Sequence, residues 1–80
     1  MFYAYVLQNT KGILYKGYTI DLQKRISQHN TNDGFPSYTG KRGPWKLVYS
    51  EECITSAKAK QREKFFKSGK GRDFLKEQLS

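Results

Sequence analysis

Two short runs near the start of the chain, residues 2–8 and 13–19, are rich in Tyr, Val, Leu, Ile and Thr, and the residues between them, Asn9, Thr10, Lys11 and Gly12, are turn formers. Aromatic and β-branched side chains suit a pleated, half-buried surface, so the pattern predicts a β-hairpin. If Gln8 pairs with Gly12, Tyr5 falls opposite Tyr15 on one face, with Cβ atoms about 5 Å apart. A slip of one residue would send the two phenols to opposite faces. Gly17 follows Tyr15 on the same face, and an interior strand glycine marks either a bulge or the close approach of a ligand or another backbone.

The remaining chain reads as helices around a third strand. Thr19 or Asp21 caps a helix over residues 21–30, whose Leu22 and Ile26 form a buried stripe at four-residue spacing. Asp21, Arg25 and His29 share that spacing and make a polar line along the helix. Residues 30–44 are rich in Asn, Gly, Ser and Pro and read as a long exposed loop, with Lys41 and Arg42 near its end. Residues 45–51 alternate large apolar and polar side chains, which predicts a strand with Trp45, Leu47 and Tyr49 on one face. Thr55 or Ser56 caps a second helix running to about residue 67, Gly69 and Gly71 stop it, and residues 72–79 form a last helix with Leu75 and Leu79 inward. The expected fold is α/β (α+β), a small three-stranded antiparallel sheet flanked by helices, and 80 residues leave room for one domain over 1–80 and for no second one.

Charge narrows the partners. Fifteen Lys and Arg against seven Asp and Glu give a formal charge of +8, a field that attracts polyanions, and nucleic acid leads the expectation. The excess is concentrated late in the chain, where Lys58, Lys60, Arg62, Lys64, Lys67, Lys70, Arg72 and Lys76 face only Glu63, Asp73 and Glu77. Of these, Lys60, Lys64, Lys67 and Lys70, with Lys41 and Arg42 of the loop, are candidate contacts to a nucleic-acid backbone; the alternative is a solvated basic face. Gly40-Lys41-Arg42-Gly43 matches the loop with which KH domains clamp a backbone, but that loop joins two helices and this one leads into a strand. The apolar run at residues 1–7 is far shorter than the roughly 20 residues of a membrane span and lacks the features of a secretory signal. With Cys53 the sole cysteine, an internal disulfide is excluded and a reducing, cytoplasmic setting is expected; with His29 the sole histidine, a Cys/His zinc site is excluded as well.

The order Tyr3-Ala4-Tyr5, a turn, Tyr15-Lys16-Gly17-Tyr18-Thr19 and then Asp21-Leu22-Gln23-Lys24-Arg25 resembles the GIY-YIG nuclease superfamily. The small stand-alone bacterial members are most similar, and these resemble the nuclease domain of the excision-repair machinery. The likeness continues through His29-Asn30, Ser37-Tyr38-Thr39, Pro44-Trp45-Lys46-Leu47-Val48-Tyr49 and Lys60-Gln61-Arg62-Glu63-Lys64, so it covers nearly the whole chain. The resemblance implies a metal-dependent endonuclease that hydrolyses DNA phosphodiester bonds, in DNA repair or recombination, with one Mg2+ or Mn2+ ion. It makes Tyr5 and Tyr15 the tyrosines of the two triplets, Arg25 the phosphate-binding arginine and Glu63 the metal-holding carboxylate. His29 is either a proton shuttle or phosphate donor, or a helix-end histidine favoured by the dipole. Two departures are visible. Ala4 and Lys16 replace the central isoleucines, and no asparagine lies downstream of Glu63.

These residue types suit that chemistry. A phosphodiester displacement develops negative charge that a guanidinium and a cation offset. A tyrosine can act as base where nearby cations favour the phenolate; whether Tyr5 or Tyr15 does so is open at this level. At about 100° per residue, Glu63 projects roughly 40° from Ala59 and 60° from Phe66, at the border of the apolar face. Without the resemblance, Glu63 would read as a surface ion pair and Arg25 as an exposed helix charge paired to Asp21. The alternative function is a noncatalytic basic nucleic-acid-binding module on the same fold. No separate recognition element is left over after the core is built, so specificity is low, structural, or supplied by a protein partner.

Overall fold

The computed structural model describes residues 1–31 and 44–79, without the side chains of His29, Asn30 and Thr31. Lys41, Arg42 and most of the expected 30–44 loop lie outside the described residues.

β1 (Phe2–Asn9) and β2 (Leu14–Thr19) form the predicted hairpin. Its turn is fixed by Asn9, whose side-chain Oδ1 accepts from the backbone N–H of Lys11 at 3.0 Å and of Ile13 at 2.8 Å. The Asn9 N–H donates to the Ile13 carbonyl, and the Gly12 N–H donates to the Asn9 carbonyl, each at 3.1 Å. Gly12 takes φ +84°, a left-handed conformation natural to glycine. This closure sets Gln8 opposite Leu14, not Gly12, and therefore Tyr5 opposite Gly17 and Leu7 opposite Tyr15. The shift from the expected register is even, so Tyr5 and Tyr15 stay on one face as diagonal neighbours.

β3 (Trp45–Cys53) pairs antiparallel with the other side of β1, giving the order β2-β1-β3. The central strand is correspondingly buried, from Ala4 to Leu7. The register breaks between Val6 and Leu7: Leu7 lies opposite Leu47 but Val6 opposite Tyr49, so Val48 is an inserted bulge residue. The bulge reverses the alternation. Trp45 packs with Tyr5 and Leu7, whereas Tyr49 turns to the other face and meets Phe66 and Phe74 edge-on at 5.9 and 5.7 Å. The expected grouping of Tyr49 with Trp45 is overturned for that reason.

Helices cover both faces. α1 (Leu22–Thr31) lays Leu22 and Ile26 against the Tyr5–Leu7–Trp45 cluster. The Asp21 carboxylate accepts from the Lys24 N–H at 3.1 Å and so caps the helix, and Thr19 Oγ1 in turn accepts from the Asp21 N–H at 3.2 Å. α2 (Ser56–Lys67), capped by Thr55, drives Ala59 and Phe66 into the opposite cluster with Ala4 and Val6. α3 (Gly69–Leu79) begins after a single residue and adds Leu75 to that cluster. Gly69 and Gly71 are therefore not the stop that the sequence suggests. Ser68 turns the chain: its N–H and hydroxyl both donate to the Phe65 carbonyl, and its Oγ accepts from the Gly71 N–H at 3.1 Å. Gly71 serves close approach instead, because a Cβ there would overlap the Phe65 carbonyl. No helix among the described residues is long and apolar enough to cross a membrane.

A charged clamp ties α2 to β3. Arg62 donates from Nε to Glu51 Oε1 at 2.7 Å and from Nη2 to Oε2 at 2.9 Å, a two-pronged match of guanidinium and carboxylate, while its Cζ lies 4.4 Å from the Phe65 ring centre. Tyr49 Oη donates to Glu51 Oε2 at 2.7 Å. The hydrogen bonds from Arg62 hold the Glu51 carboxyl below its ordinary pKa, against the opposing effect of burial. Burial and the bond to Glu51 push the Tyr49 phenol up to about 12. Because the folded Glu51 pKa is depressed, its contribution is complete above the unfolded carboxyl pKa of about 4.3 and is lost as pH falls through the lower folded value. The stability gap between wild type and Glu51→Gln in urea titrations is thus expected to be widest near neutral pH and to narrow below about pH 4. A gap of the same size at both ends would show that ionisation of Glu51 adds nothing to stability.

Candidate functional site

Tyr5 comes from the middle of the central strand and is 1% exposed. Its ring lies over Gly17: a Cβ built on Gly17 would sit 2.6 Å from Tyr5 Oη and 2.8 Å from Cζ. The missing side chain is thus the space the phenol occupies, and the close approach read from an interior glycine is made by Tyr5 itself. Tyr15, two residues before Gly17, is tilted against Tyr5 with ring centres 6.4 Å apart and meets Trp45 edge-on at 6.3 Å. Both contacts fix its ring between the hairpin and the start of β3.

The charged partners come from the helices. The Asp21 cap and the seat of Leu22 and Ile26 hold α1 so that Arg25, next to Ile26, is half-buried at the edge of the packed face. From α2, one turn beyond buried Ala59, Glu63 extends a side chain that is only 19% exposed. Its Oε1 accepts from Lys67 Nζ at 2.6 Å, so the surface ion pair anticipated for Glu63 is formed. Tyr5, Tyr15, Arg25 and Glu63 line one cleft of about 410 Å³, with Gly17 and Thr19 between them. Four of the five sequence-predicted catalytic residues therefore converge, from β1, β2, α1 and α2. His29 lies in α1 one turn beyond Arg25, and its side chain is outside the described residues. Lys60, Lys64, Lys67 and Lys70 are exposed along α2 and the start of α3.

Burial shapes the chemistry of the first phenol. It raises the Tyr5 pKa well above the ordinary value, aided by the neighbouring Tyr15 and Glu63, and the opposing effect of Arg25 does not offset it. Tyr5 is therefore a hydrogen-bond donor at neutral pH. Arg25 lowers the Tyr5 pKa, but by less than burial raises it.

Among the described residues no group of three or more His, Cys, Asp and Glu gathers as a ready metal cage, and Glu63 is the one carboxylate on the cleft. A single carboxylate, with Lys67 and Arg25 as cationic neighbours, could hold only a hard divalent ion that keeps most of its waters and shares substrate oxygens, which is the habit of magnesium.

The cleft also takes in Phe2, Tyr18 and Ile20, which sequence reasoning does not assign to a site. Tyr18 and Ile20 are 37% and 68% exposed. Tyr18 stands near the end of β2 and Ile20 just beyond it, and local spacing gives neither a site role.

Comparison with known proteins gives one family. A family model described as the GIY-YIG catalytic domain matches residues 1–77. A UPF0213 protein of Streptococcus agalactiae is 45% identical over 65 residues, 81% of this chain and 73% of the relative. A UPF0213 protein of Halobacterium salinarum is 38% identical over 63 residues, 79% of this chain and 80% of the relative. The solution NMR structure of a UPF0213 protein from Bacillus halodurans shares the fold with a TM-score of 0.54 at 32% identity, covering 94% of this chain and 82% of that one.

The Tyr5–Gly17 fit has a direct test. Gly17→Ala forces the phenol out of its place and is expected to cost about 1–3 kcal/mol, as overpacking of a tight core does. In a double-mutant cycle with Tyr5→Leu, measured by urea denaturation, most of that cost should disappear. An unchanged cost in the Tyr5→Leu background would mean that the glycine answers to something other than the ring.

Proposed function

Because the chain belongs to the GIY-YIG family, whose domains are of nuclease type, we propose that it is an endonuclease that hydrolyses phosphodiester bonds in DNA with the help of one Mg2+ or Mn2+ ion. The observation that carries this reading is the convergence of two phenols, a guanidinium and a carboxylate from four separate elements on one cleft. Structural ion pairs do not require that gathering; a reacting phosphate does.

Each side chain has a role that follows from its setting. Arg25 presents planar donors to the nonbridging oxygens of the phosphate and offsets the charge that builds there in the transition state. Tyr5, buried and held protonated, donates a hydrogen bond to an oxygen of the phosphate or of the attacking water. Tyr15, less buried and clamped between Tyr5 and Trp45, is then the phenol that, once its own proton has passed to solvent, takes the proton of the attacking water. His29, one turn along α1 from Arg25, serves as a further phosphate donor. Glu63 would hold the divalent ion, which when bound lowers the pKa of a coordinated water and neutralises phosphate charge. Lys67 already bonds Glu63 Oε1, so affinity for an ion without DNA should be weak. Lys60, Lys64, Lys67 and Lys70, with Lys41 and Arg42, supply sequence-independent backbone contacts. Residues 1–80 act as one domain in this reading, in a cytoplasmic setting, and specificity comes from DNA structure or a protein partner.

Purified protein is expected to cleave DNA in Mg2+ or Mn2+, tested across duplex, nicked and branched forms. Glu63→Gln and Arg25→Gln should each lower single-turnover cleavage by about 100-fold or more, as loss of a transition-state charge partner does. DNA binding in EDTA should change by far less. Binding without cleavage for wild type, under either metal and on every form, would make the protein a noncatalytic nucleic-acid binder and end the enzymatic reading.

A further inference from the structure

Lys16 is out of place by ordinary standards of strand composition. It lies opposite Val6, which is fully buried, and is itself half-buried on the face that carries Leu14. Cations from two other elements, Arg72 of α3 and Lys67 of α2, act on it electrostatically. Burial, Arg72 and Lys67 all lower its pKa, in that order. Lys16, Arg72 and Lys76 line a cavity of about 750 Å³ between the hairpin and α3, with Leu14, Leu75 and Leu79 also lining it. One carboxylate, Asp73, also lines the cavity. Among the described residues, no ion pair ties any of the three cations to an acid. Like charges drawn together over an apolar surface repel one another, and an anionic ligand would relieve the repulsion.

The position of this cavity identifies the anion. Lys16 stands in the chain between Tyr15 and Gly17, which both line the catalytic cleft, and by strand alternation it projects to the opposite face. The two sites therefore lie back to back across β2, an outer strand of the sheet. Lys67 joins them, since it bonds Glu63 of the cleft and acts electrostatically on Lys16. We propose that the cavity between the hairpin and α3 holds backbone phosphates of the DNA strand beyond the scissile bond, with Lys16, Arg72 and Lys76 as the contacts, the strand passing around the β2 edge. The proposal rests on the nuclease reading for the location of the scissile bond. Cations from two elements match a run of phosphates better than a single small anion, and the apolar lining suits sugar and base faces.

The test compares two double variants that remove the same charge. Lys16→Gln with Arg72→Gln empties the proposed site of two cations; Lys46→Gln with Lys58→Gln removes two cations that do not line it. Affinity for a short duplex is measured in EDTA from about 50 to 200 mM salt, so that no cleavage intervenes. The first pair should reduce the slope of log K against log salt by about 1.8, as expected for two lost phosphate contacts on duplex DNA, and the second pair by clearly less. Equal losses in the two pairs, or an unchanged slope in the first, would overturn the site. If Lys16→Gln does not fold, Arg72→Gln with Lys76→Gln, both exposed on α3, gives the same readout. Lys16→Met should also raise Tm without DNA, because it removes a half-buried charge beside two cations; a fall in Tm would assign Lys16 to the fold. The outcome is separable from the nuclease reading. A selective loss of slope in a protein that never cleaves keeps the site and removes the enzyme, whereas cleavage with an unaffected slope keeps the enzyme and removes the site.

Discussion

At Gly17 the sheet lacks a side chain and the Tyr5 ring fills the gap, its hydroxyl and Cζ lying where any Cβ would stand. That fit requires the hairpin register that puts residue 5 opposite residue 17, and the register in turn requires the Asn9 side chain to close the turn over Lys11 and Ile13. The same pairing places Tyr15 beside Leu7, within reach of both Tyr5 and Trp45. One close contact thus sets the depth of one phenol and the lateral position of the other. Arg25 is brought to them only because α1 docks its Leu22 and Ile26 on the cluster that Tyr5 helps to build.

The fourth member of the cleft depends on the opposite face. Glu63 is held by α2, and α2 is held by the burial of Ala59 and Phe66, by the Arg62–Glu51 clamp and by the approach of α3 that Gly71 permits. The bulge at Val48 makes this arrangement consistent. By adding one residue to β3 it leaves Trp45 with Tyr5 and sends Tyr49 to the helices, so that a single strand serves both aromatic clusters. A regular strand would put both rings on the same side and leave Phe66 and Phe74 without their partner.

Local chemistry makes much of this legible in the sequence. The hairpin, the Asp21 cap, the Leu22 and Ile26 stripe and the burial of Leu75 follow from propensity and spacing, and the shared face of Tyr5 and Tyr15 survives a register error of two because strand alternation has that period. The turn itself is ambiguous on paper, since Asn9-Thr10-Lys11-Gly12 supports more than one closure and only the side-chain bonds of Asn9 choose between them. The bulge is not legible, because an inserted residue leaves the alternating pattern of 45–51 unchanged. Gly71 misleads for a related reason: a glycine after a helix signals a stop, whereas here a glycine inside the next helix answers to a backbone that approaches from outside the local sequence. For the cleft, spacing alone makes Arg25 and Glu63 ordinary helix charges, and Glu63 does form the ordinary ion pair with Lys67. Their meeting depends on contacts between α1, α2 and the sheet, which no local pattern contains, and only the family resemblance points to them.

If the cleft works as proposed, the charge distribution gives it an order of events. Glu63 is the one acid among the described cleft residues, which otherwise offer a guanidinium and phenols; it is already bonded to a lysine, and Tyr5 beside it is kept neutral by burial. An isolated divalent ion gains little there, because a single carboxylate must compete with Lys67 and the ion sits in the field of Arg25. A phosphodiester changes that balance, since its charge is attracted by Arg25 and it offers further oxygens to the ion. On the proposed function, nucleic acid and cation would each be more stable in the presence of the other, so their affinities would be coupled, and by reciprocity equally in both directions. On the proposed function, a lone acid in a basic setting would thus keep the cation dependent on substrate, in a chain whose net charge of +8 already favours the polyanion.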